Sequence, residues 1–407
     1  MRHCALILAI AVIVYLAASA VREDAGPRTN SQPQEFTTVL RPVAAILNEE
    51  THVPLVASEN KIKGKTGTPL EFKRAQFINE THGWTMTDYS LYRTIDGGNK
   101  WERLSPAPGE NARFMAFSFV DELHGWLAML TQDFAEHYGV GNSSEIMITD
   151  DGGTSWKLQA SFKDEVEIMD VSFLNVNDGF AVGSKGLDNR PDRGELFVLG
   201  TSDGGRDWKD ISAPAKAAFK NQWGVANDSG NYIQWTSSSV LLLTRGGRVM
   251  NTKDRGKTWN IIVAFKDERP AGFLSSTGYY KLALDPQQRI RVLAGGMGDE
   301  GYWGDFVVHE DGRWSSYELS LTPLLDAVFL SDKEVIASGL NVRPKDDKSN
   351  RHLQDAGVVL RSFDTGKSWH SIYRSRSSET FFFLTKVKDK EFYAVSDIGT
   401  FLRLRLQ

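Results

Sequence analysis

The chain has 407 residues, 41% of them hydrophobic and 24% charged, with 36 Gly against 13 Pro, 11 Trp and a formal net charge of −5. That composition supplies a large core and excludes a disordered tail, while so small a charge leaves no electrostatic case for a nucleic-acid partner. Its one cysteine, Cys4, excludes an internal disulfide.

Residues 1–20 are predicted to be a signal peptide. Met1-Arg2-His3 is a short basic start, residues 4–18 are apolar, and Ala18-Ser19-Ala20 is a small-x-small site followed by the polar Val21-Arg22-Glu23-Asp24. Export to the periplasm or out of the cell is therefore expected. The alternative is an uncleaved anchor, because residues 5–20 are nearly long enough to span a bilayer when tilted. Cleavage would also remove Cys4, and with it thiolate chemistry and Cys-ligated metals. Residues 21–35, with Gly26-Pro27 and Ser31-Gln32-Pro33, read as a flexible leader, and Glu35-Phe36-Thr37-Thr38-Val39-Leu40 as a short strand.

From there to residue 407 the chain is built on one repeated unit, Thr94-Ile95-Asp96-Gly97-Gly98-Asn99-Lys100-Trp101. Its aspartates, Asp96, Asp151, Asp203, Asp254, Asp311 and Asp364, lie 55, 52, 51, 57 and 53 residues apart. The template Ser/Thr-x-Asp-x-Gly-x-x-Trp ends on Trp101, Trp156, Trp208, Trp259 and Trp369, and a version shortened by two residues ends on Trp314. A period near 50 marks a propeller or solenoid. Asp at the start of a tight turn can accept the N–H groups that follow it, and Gly98, Gly153, Gly205 and Gly256 can take positive φ. The Trp then falls on the outgoing strand, where it can fill the gap between sheets, so these residues read as architectural rather than catalytic.

Strand-like runs begin near Phe72, Phe114, Ile168, Tyr232, Tyr280, Leu325 and Phe381, seven in all, and three alternating runs precede each turn with one after it. Four strands per unit and seven units follow. The last unit has only three strands, so a closed ring needs a fourth from the N-terminal segment, around residues 36–40 or 54–57. The expected fold is all-β: a seven-bladed β-propeller of four-stranded antiparallel blades spanning residues 36–407. Closure also hides strand edges.

The Ser/Thr-x-Asp-x-Gly-x-x-Trp unit resembles the Asp-box, or BNR repeat, over residues 70–407. That repeat is shared by sialidases, two-propeller xyloglucanases, sortilin-type receptors and photosystem II assembly and stability factors. The resemblance implies a propeller with the box between the third and fourth strands of each blade. His82-Gly83-Trp84, His124-Gly125-Trp126 and Asp178-Gly179-Phe180, upstream of Asp-Gly-Gly boxes, look most like the assembly-factor family. By that likeness the chain is an exported, monomeric, non-enzymatic propeller that binds another protein. The arginine patch of that family has no obvious counterpart, since Arg74, Arg93, Arg103, Arg113, Arg206 and Arg361 are spread through the chain. A sialidase would need an Arg-Ile-Pro segment, which is absent, and six blades. A xyloglucanase-type hydrolase needs two opposed carboxylates in a cleft between two propellers.

Function is expected on the face that carries the strand 2–3 and 4–1 loops, opposite the boxes. Residues 131–143, 184–194, 295–305 and 341–356 read as inserted loops there. Arg190, Asp192, Arg193 and Arg343 supply forked donors and a carboxylate for an acidic or phosphorylated group, with pairing inside the loops as the alternative. Asp299, Tyr302, Trp303 and Asp305 combine carboxylates with aromatic rings that could hold a glycan. Glu136-His137 lacks a second His at ligand spacing, so no metal or cofactor is expected.

Overall fold

The computed structural model describes residues 39–40, 45–47, 55–61, 70–104, 112–132, 142–163, 165–186, 194–218, 229–264, 279–298, 301–310, 313–320, 322–341, 356–375 and 379–406. All lie in one compact unit, residues 37–407. They form seven sheets, each built on four antiparallel strands of which the first is innermost, and two of the sheets carry a fifth, parallel strand at the outer edge. The innermost strands are Arg74–Phe77, Ala112–Phe119, Val166–Phe173, Gly230–Trp235, Tyr279–Leu284, Leu324–Phe329 and Phe381–Lys388. This is the expected seven-bladed propeller.

Blade 7 is completed from the N-terminal side, by Leu55–Lys61 paired antiparallel with Thr400–Leu406 over seven residues. The alternative expectation, closure by residues 36–40, is corrected. Val39–Leu40 instead runs parallel to the outer strand of blade 5, and Ala45–Leu47 parallel to that of blade 6. A two-residue strand cannot cover the seven-residue edge that blade 7 presents, and Leu55–Lys61 can.

The core is not one mass but seven layers, one between each pair of neighbouring blades. Trp156, Trp208, Trp259, Trp314 and Trp369 each pack in the layer toward the preceding blade, and Trp101 packs with Tyr393 and Phe401 of blade 7. The layers are fastened by a repeated clasp. Trp84 of blade 1 stacks on Phe119 of blade 2, with centroids 3.8 Å apart and planes 8° apart, and its indole N–H donates to Gly152 O at 3.0 Å. Trp126 stacks on Phe173 at 3.5 Å and donates to Gly204 O at 3.1 Å. Tyr393 of blade 7 stacks on Phe77 of blade 1 at 5.4 Å and donates from its hydroxyl to Gly97 O at 2.6 Å. The last joint is thus made like the first two, which closes the ring.

These clasps explain the Gly-aromatic pairs. A Cβ on Gly125 would stand 2.4 Å from the Phe119 ring, and one on Gly179 2.4 Å from Phe173, so the phenyl ring that receives the neighbour's indole leaves no room for a side chain.

The repeated turns sit between strands 3 and 4, as the pattern predicts. In blade 1, Thr94 Oγ1 donates to Asp96 Oδ1 and accepts from Gly98 N, while Asp96 Oδ1 accepts from Lys100 N at 2.9 Å. The same set recurs on Asp151, Asp203, Asp254 and Asp364. Gly98, Gly153, Gly205 and Gly256 have φ between 82° and 91°. Asp311 lies outside the described residues. In its blade the described parts of strands 3 and 4 pair as far as His309 with Trp314 and Glu310 with Arg313.

Candidate functional site

The innermost strands surround the ring's axis, and five of them carry a β-bulge at the same level: between Phe114 and Ala116, Ile168 and Asp170, Gly230 and Tyr232, Leu324 and Asp326, and Phe381 and Phe383. A bulge adds a residue and turns the next side chain out of the regular alternation. At two of these places that residue is Asp. Asp170 and Asp326 make matching contacts: Oδ1 accepts the next residue's N–H at 2.9 Å, and Oδ2 accepts an N–H of the following blade, Ile233 at 3.0 Å or Leu384 at 2.8 Å.

Each aspartate also meets a cation. Arg74 Nη1 of blade 1 donates to Asp170 Oδ1 of blade 3, a contact that passes over blade 2 and so lies across the channel. Lys281 Nζ of blade 5 stands 2.6 Å from Asp326 Oδ2 of blade 6. The Arg74 guanidinium lies 5.7 Å from the Phe117 ring and Lys281 Nζ 5.2 Å from that of Phe383. Tyr232 completes the girdle. Burial first, then the negative charges of Asp170 and Asp326, push its hydroxyl above the ordinary tyrosine value, so it is a neutral hydrogen-bonding group at physiological pH. Both carboxylates are nearly buried, at 2% and 9% side-chain exposure, against 27% for Arg74 and 24% for Lys281.

Above this girdle, on the face of the 2–3 and 4–1 connections, is a mixed-charge mouth. Asp88 holds Lys73 and Arg113, each at 2.8 Å. Burial works to raise its pKa, but these two cations outweigh it and hold the carboxyl below its usual range. Glu167 nearby is pushed the other way, because burial outweighs the attraction of Arg113 and Arg245. Tyr89, 65% exposed, stands beside Asp88 in the same turn.

Of the residues singled out in the sequence, Arg190, Asp192, Arg193, Arg343, Asp299 and the Glu136-His137 pair lie outside the described residues. Tyr302, Trp303 and Asp305 are described, and here the loop expected over 295–305 is corrected. Those residues continue two strands, Ile290–Gly298 and Gly301–Glu310, paired to the tip through Met297 with Tyr302 and Gly298 with Gly301. Gly-rich sequence reads as a loop, yet glycine pairs in a ladder when its neighbours supply the partner strand. Asp305 is buried within that strand, opposite Ala294 and Glu318. Among the described residues no cluster of His, Cys, Asp and Glu could hold a metal.

The girdle is not legible in the sequence because its ion-paired members, Arg74 with Asp170 and Lys281 with Asp326, lie in different blades and only the folded ring brings them together. The available signal was a charged residue on an otherwise apolar inner strand, as at Asp170 and Asp326.

The opposite face carries a cleft of about 250 Å³ between blades 3 and 4. Phe180 and Trp235, edge to face at 5.3 Å, form its apolar wall, and Lys209, Lys257 and Arg255 stand at its rim with Asp178, Asp203 and Asp207. Arg255 pairs with Asp178 at 3.1 Å.

No family model matches the chain. Among curated proteins, the photosystem II stability/assembly factor HCF136 of Arabidopsis thaliana is 22% identical over 338 residues, 78% of this chain and 71% of that protein. Among solved structures, YCF48 from Cyanidioschyzon merolae superposes with a TM-score of 0.58 at 16% identity, covering 85% of this chain and 98% of that one. YCF48 bound to D1 peptide gives 0.56 at 16% identity over 89% and 100%. The GH74 xyloglucanase of Xanthomonas campestris gives 0.56 at 14% identity, over 85% of this chain and 53% of the enzyme. At these identities the solved structures speak for the fold alone.

Proposed function

We propose that the chain is an exported, non-enzymatic propeller of the Asp-box type that binds another protein as an assembly or stability factor does. The observation that carries this reading is the state of the two axial carboxylates. Asp170 and Asp326 are each held by a cation and by two backbone N–H groups, the pattern of a structural clamp. Glycoside hydrolysis needs one carboxyl group free to give a proton and a second free to take one or to attack, set across a substrate. Clamped aspartates serve neither step and instead hold a rigid, charged ring of the kind on which recognition surfaces are built.

The likeness to a stability/assembly factor, and to a propeller seen with a bound peptide, supports a polypeptide partner. Monomeric action and removal of residues 1–20 belong to the same reading. The test is capture from native extract by the immobilised chain, beside one variant with Arg190, Arg193 and Arg343 changed to Ala and another with Arg113 and Arg245 changed to Ala. A protein captured by the parent and lost by either variant supports binding on the 2–3 and 4–1 face. Hydrolysis of a sialoside or xyloglucan panel, with no protein captured, would overturn it.

A further inference from the structure

The chain lays its own N-terminal segment on the outside of the ring twice, in the same way. Val39–Leu40 runs parallel to the outer strand of blade 5 with Val39 opposite Trp314, and Ala45–Leu47 runs parallel to that of blade 6 with Ile46 opposite Trp369. In both places a β-branched residue stands opposite the turn's Trp and a Leu opposite the residue after it, Leu40 at Ser315 and Leu47 at His370. The pairs Val39-Leu40 and Ile46-Leu47 begin seven residues apart, which carries the segment from one blade to the next. The strand edge beside the turn's Trp is thus an acceptor for extended chain, and a β-branched residue followed by Leu is what it accepts.

Blade 2 repeats the acceptor of blade 6 but has no fifth strand among the described residues. Its turn is the same: Ser155 N and Oγ donate to Asp151 at 2.8 and 2.6 Å, as Ser368 N and Oγ donate to Asp364 at 2.8 and 2.6 Å. Three residues after the Trp both outer strands slip by one residue against strand 3, at Gln159 in blade 2 and Ile372 in blade 6. The backbone that takes Ala45–Leu47 along Ser368–His370 therefore has its copy along Ser155–Lys157. The six-residue outer strand Lys157–Phe162 pairs only with Asn142–Thr149.

One side chain sets blade 2 apart. Two residues after the Trp stand Arg103 in blade 1, Asp210 in blade 3, Ser316 in blade 5 and Ser371 in blade 6, and in blade 4 Ile261, which packs into the layer against blade 3. In blade 2 the residue is Leu158, 56% exposed. An open edge with an apolar side chain on it is a liability that proteins manage. Lys157, paired with Asp150 at 3.2 Å, supplies a charge against unspecific pairing, while Leu158 offers a matched segment something to bury. The other free edges are poorer acceptors, since the outer strands of blades 1 and 3 have three and two residues.

We infer that the outer edge of blade 2 binds an extended segment of a partner polypeptide by parallel strand addition, with a β-branched residue opposite Trp156, a Leu opposite Lys157 and an apolar residue opposite Leu158. Backbone hydrogen bonds hold such a strand and its side chains select it. The chain's own leader does not supply it, because residues 21–38 contain no β-branched residue followed by Leu. The inference rests on the protein-binding reading above and adds to it a second contact surface, on the rim of the ring.

The test titrates the full chain with two fluorescein-labelled peptides, followed by anisotropy. One is residues 43–49 unchanged, and the other carries Asn48→Leu, which puts an apolar residue opposite Leu158. The parent should bind the Asn48→Leu peptide about tenfold more tightly, as burial of one leucine pair predicts. Leu158→Glu, at an exposed position where folding is not at stake, should abolish the preference, and Leu158→Met should keep it. Hydrogen exchange should show protection at Lys157–Phe162. No saturable binding, equal binding of the two peptides, a preference that survives Leu158→Glu, or protection at Arg313–Ser320 or Ser368–Arg374 instead would each overturn the site. A concentration-dependent dimer abolished by Leu158→Glu would make a second copy the occupant and overturn the partner. Partner capture is run beside it. Capture unchanged by Leu158→Glu overturns this inference and leaves protein binding standing; no capture by the parent, with the Asn48→Leu peptide still bound at blade 2, refutes the protein-binding reading and the partner as occupant.

Discussion

Changing Tyr393 to Phe removes one oxygen atom from the joint that closes the ring. Its hydroxyl donates to Gly97 O at 2.6 Å, and both residues are buried. Phenylalanine keeps the ring stacked 5.4 Å from Phe77 and creates almost no cavity. The Gly97 carbonyl then loses its donor in a place water does not reach, which costs about 1–3 kcal/mol. Tyr393→Leu would also lose the stack and much of the ring's volume, raising the cost to about 3–5 kcal/mol. Urea unfolding gives the free energies, and hydrogen exchange gives the location. In Tyr393→Phe, amides of Glu391–Ser396 and of Gly97 and Gly98 should exchange faster, while those of Val240–Thr244 in blade 4 should not change. A loss under about 0.3 kcal/mol, or exchange that quickens evenly around the ring, would refute the idea that blades 7 and 1 are fastened by this clasp.

Other consequences are open to simpler measurements. Asp170→Asn keeps the shape of the girdle but takes the charge from the Arg74 pair and one acceptor, and should cost about 1.5–3 kcal/mol in urea unfolding; Asp326→Asn, its counterpart at Lys281, should behave alike. In acid, donors from Ser155, Thr149 and Thr154 overcome the opposing effect of burial to hold Asp151 at about 2, and Thr258 and Thr252 hold Asp254 at about 2. Folded pKa values below the unfolded ones give stability that is present above the ordinary carboxylate range, near 4, and is lost as pH falls toward about 2. The gap in unfolding midpoint between the parent and Asp151→Asn should therefore shrink over that window and stay constant from pH 5 to 7. A chain beginning at residue 62 lacks Leu55–Lys61 and exposes the edge of Thr400–Leu406, where Leu402, Leu404 and Leu406 are otherwise buried. It should elute as higher-order species than the parent in size exclusion, and a peptide of residues 55–61 should restore the parent's elution volume.

Much of the fold was legible because a propeller repeats its reasons. One turn chemistry, one Trp and one Gly-aromatic pair recur at a near-constant interval, so local readings reinforce one another, and a missing fourth strand implies closure from the N-terminal side. What sequence reading could not supply depended on contacts between copies. The second residue at positive φ in each turn, Gly97 or Arg255, follows from the turn's approach to the preceding hairpin, where Gly97 N donates to Thr81 O. The clasp carbonyls belong to the next blade. The axial girdle depends on bulges that no periodicity announces. The extended hairpin over 295–305 was hidden because its glycines carry no strand signal of their own.

The role proposed for the ring is to bind a polypeptide and leave it chemically unchanged. Its most direct test is a calorimetric titration of the purified, captured partner into the chain, with both molecules weighed by mass spectrometry afterwards. Saturable one-to-one binding, weakened by salt, with both masses intact, is the expected outcome. No saturable heat, or a partner or glycan returned cleaved, would contradict it.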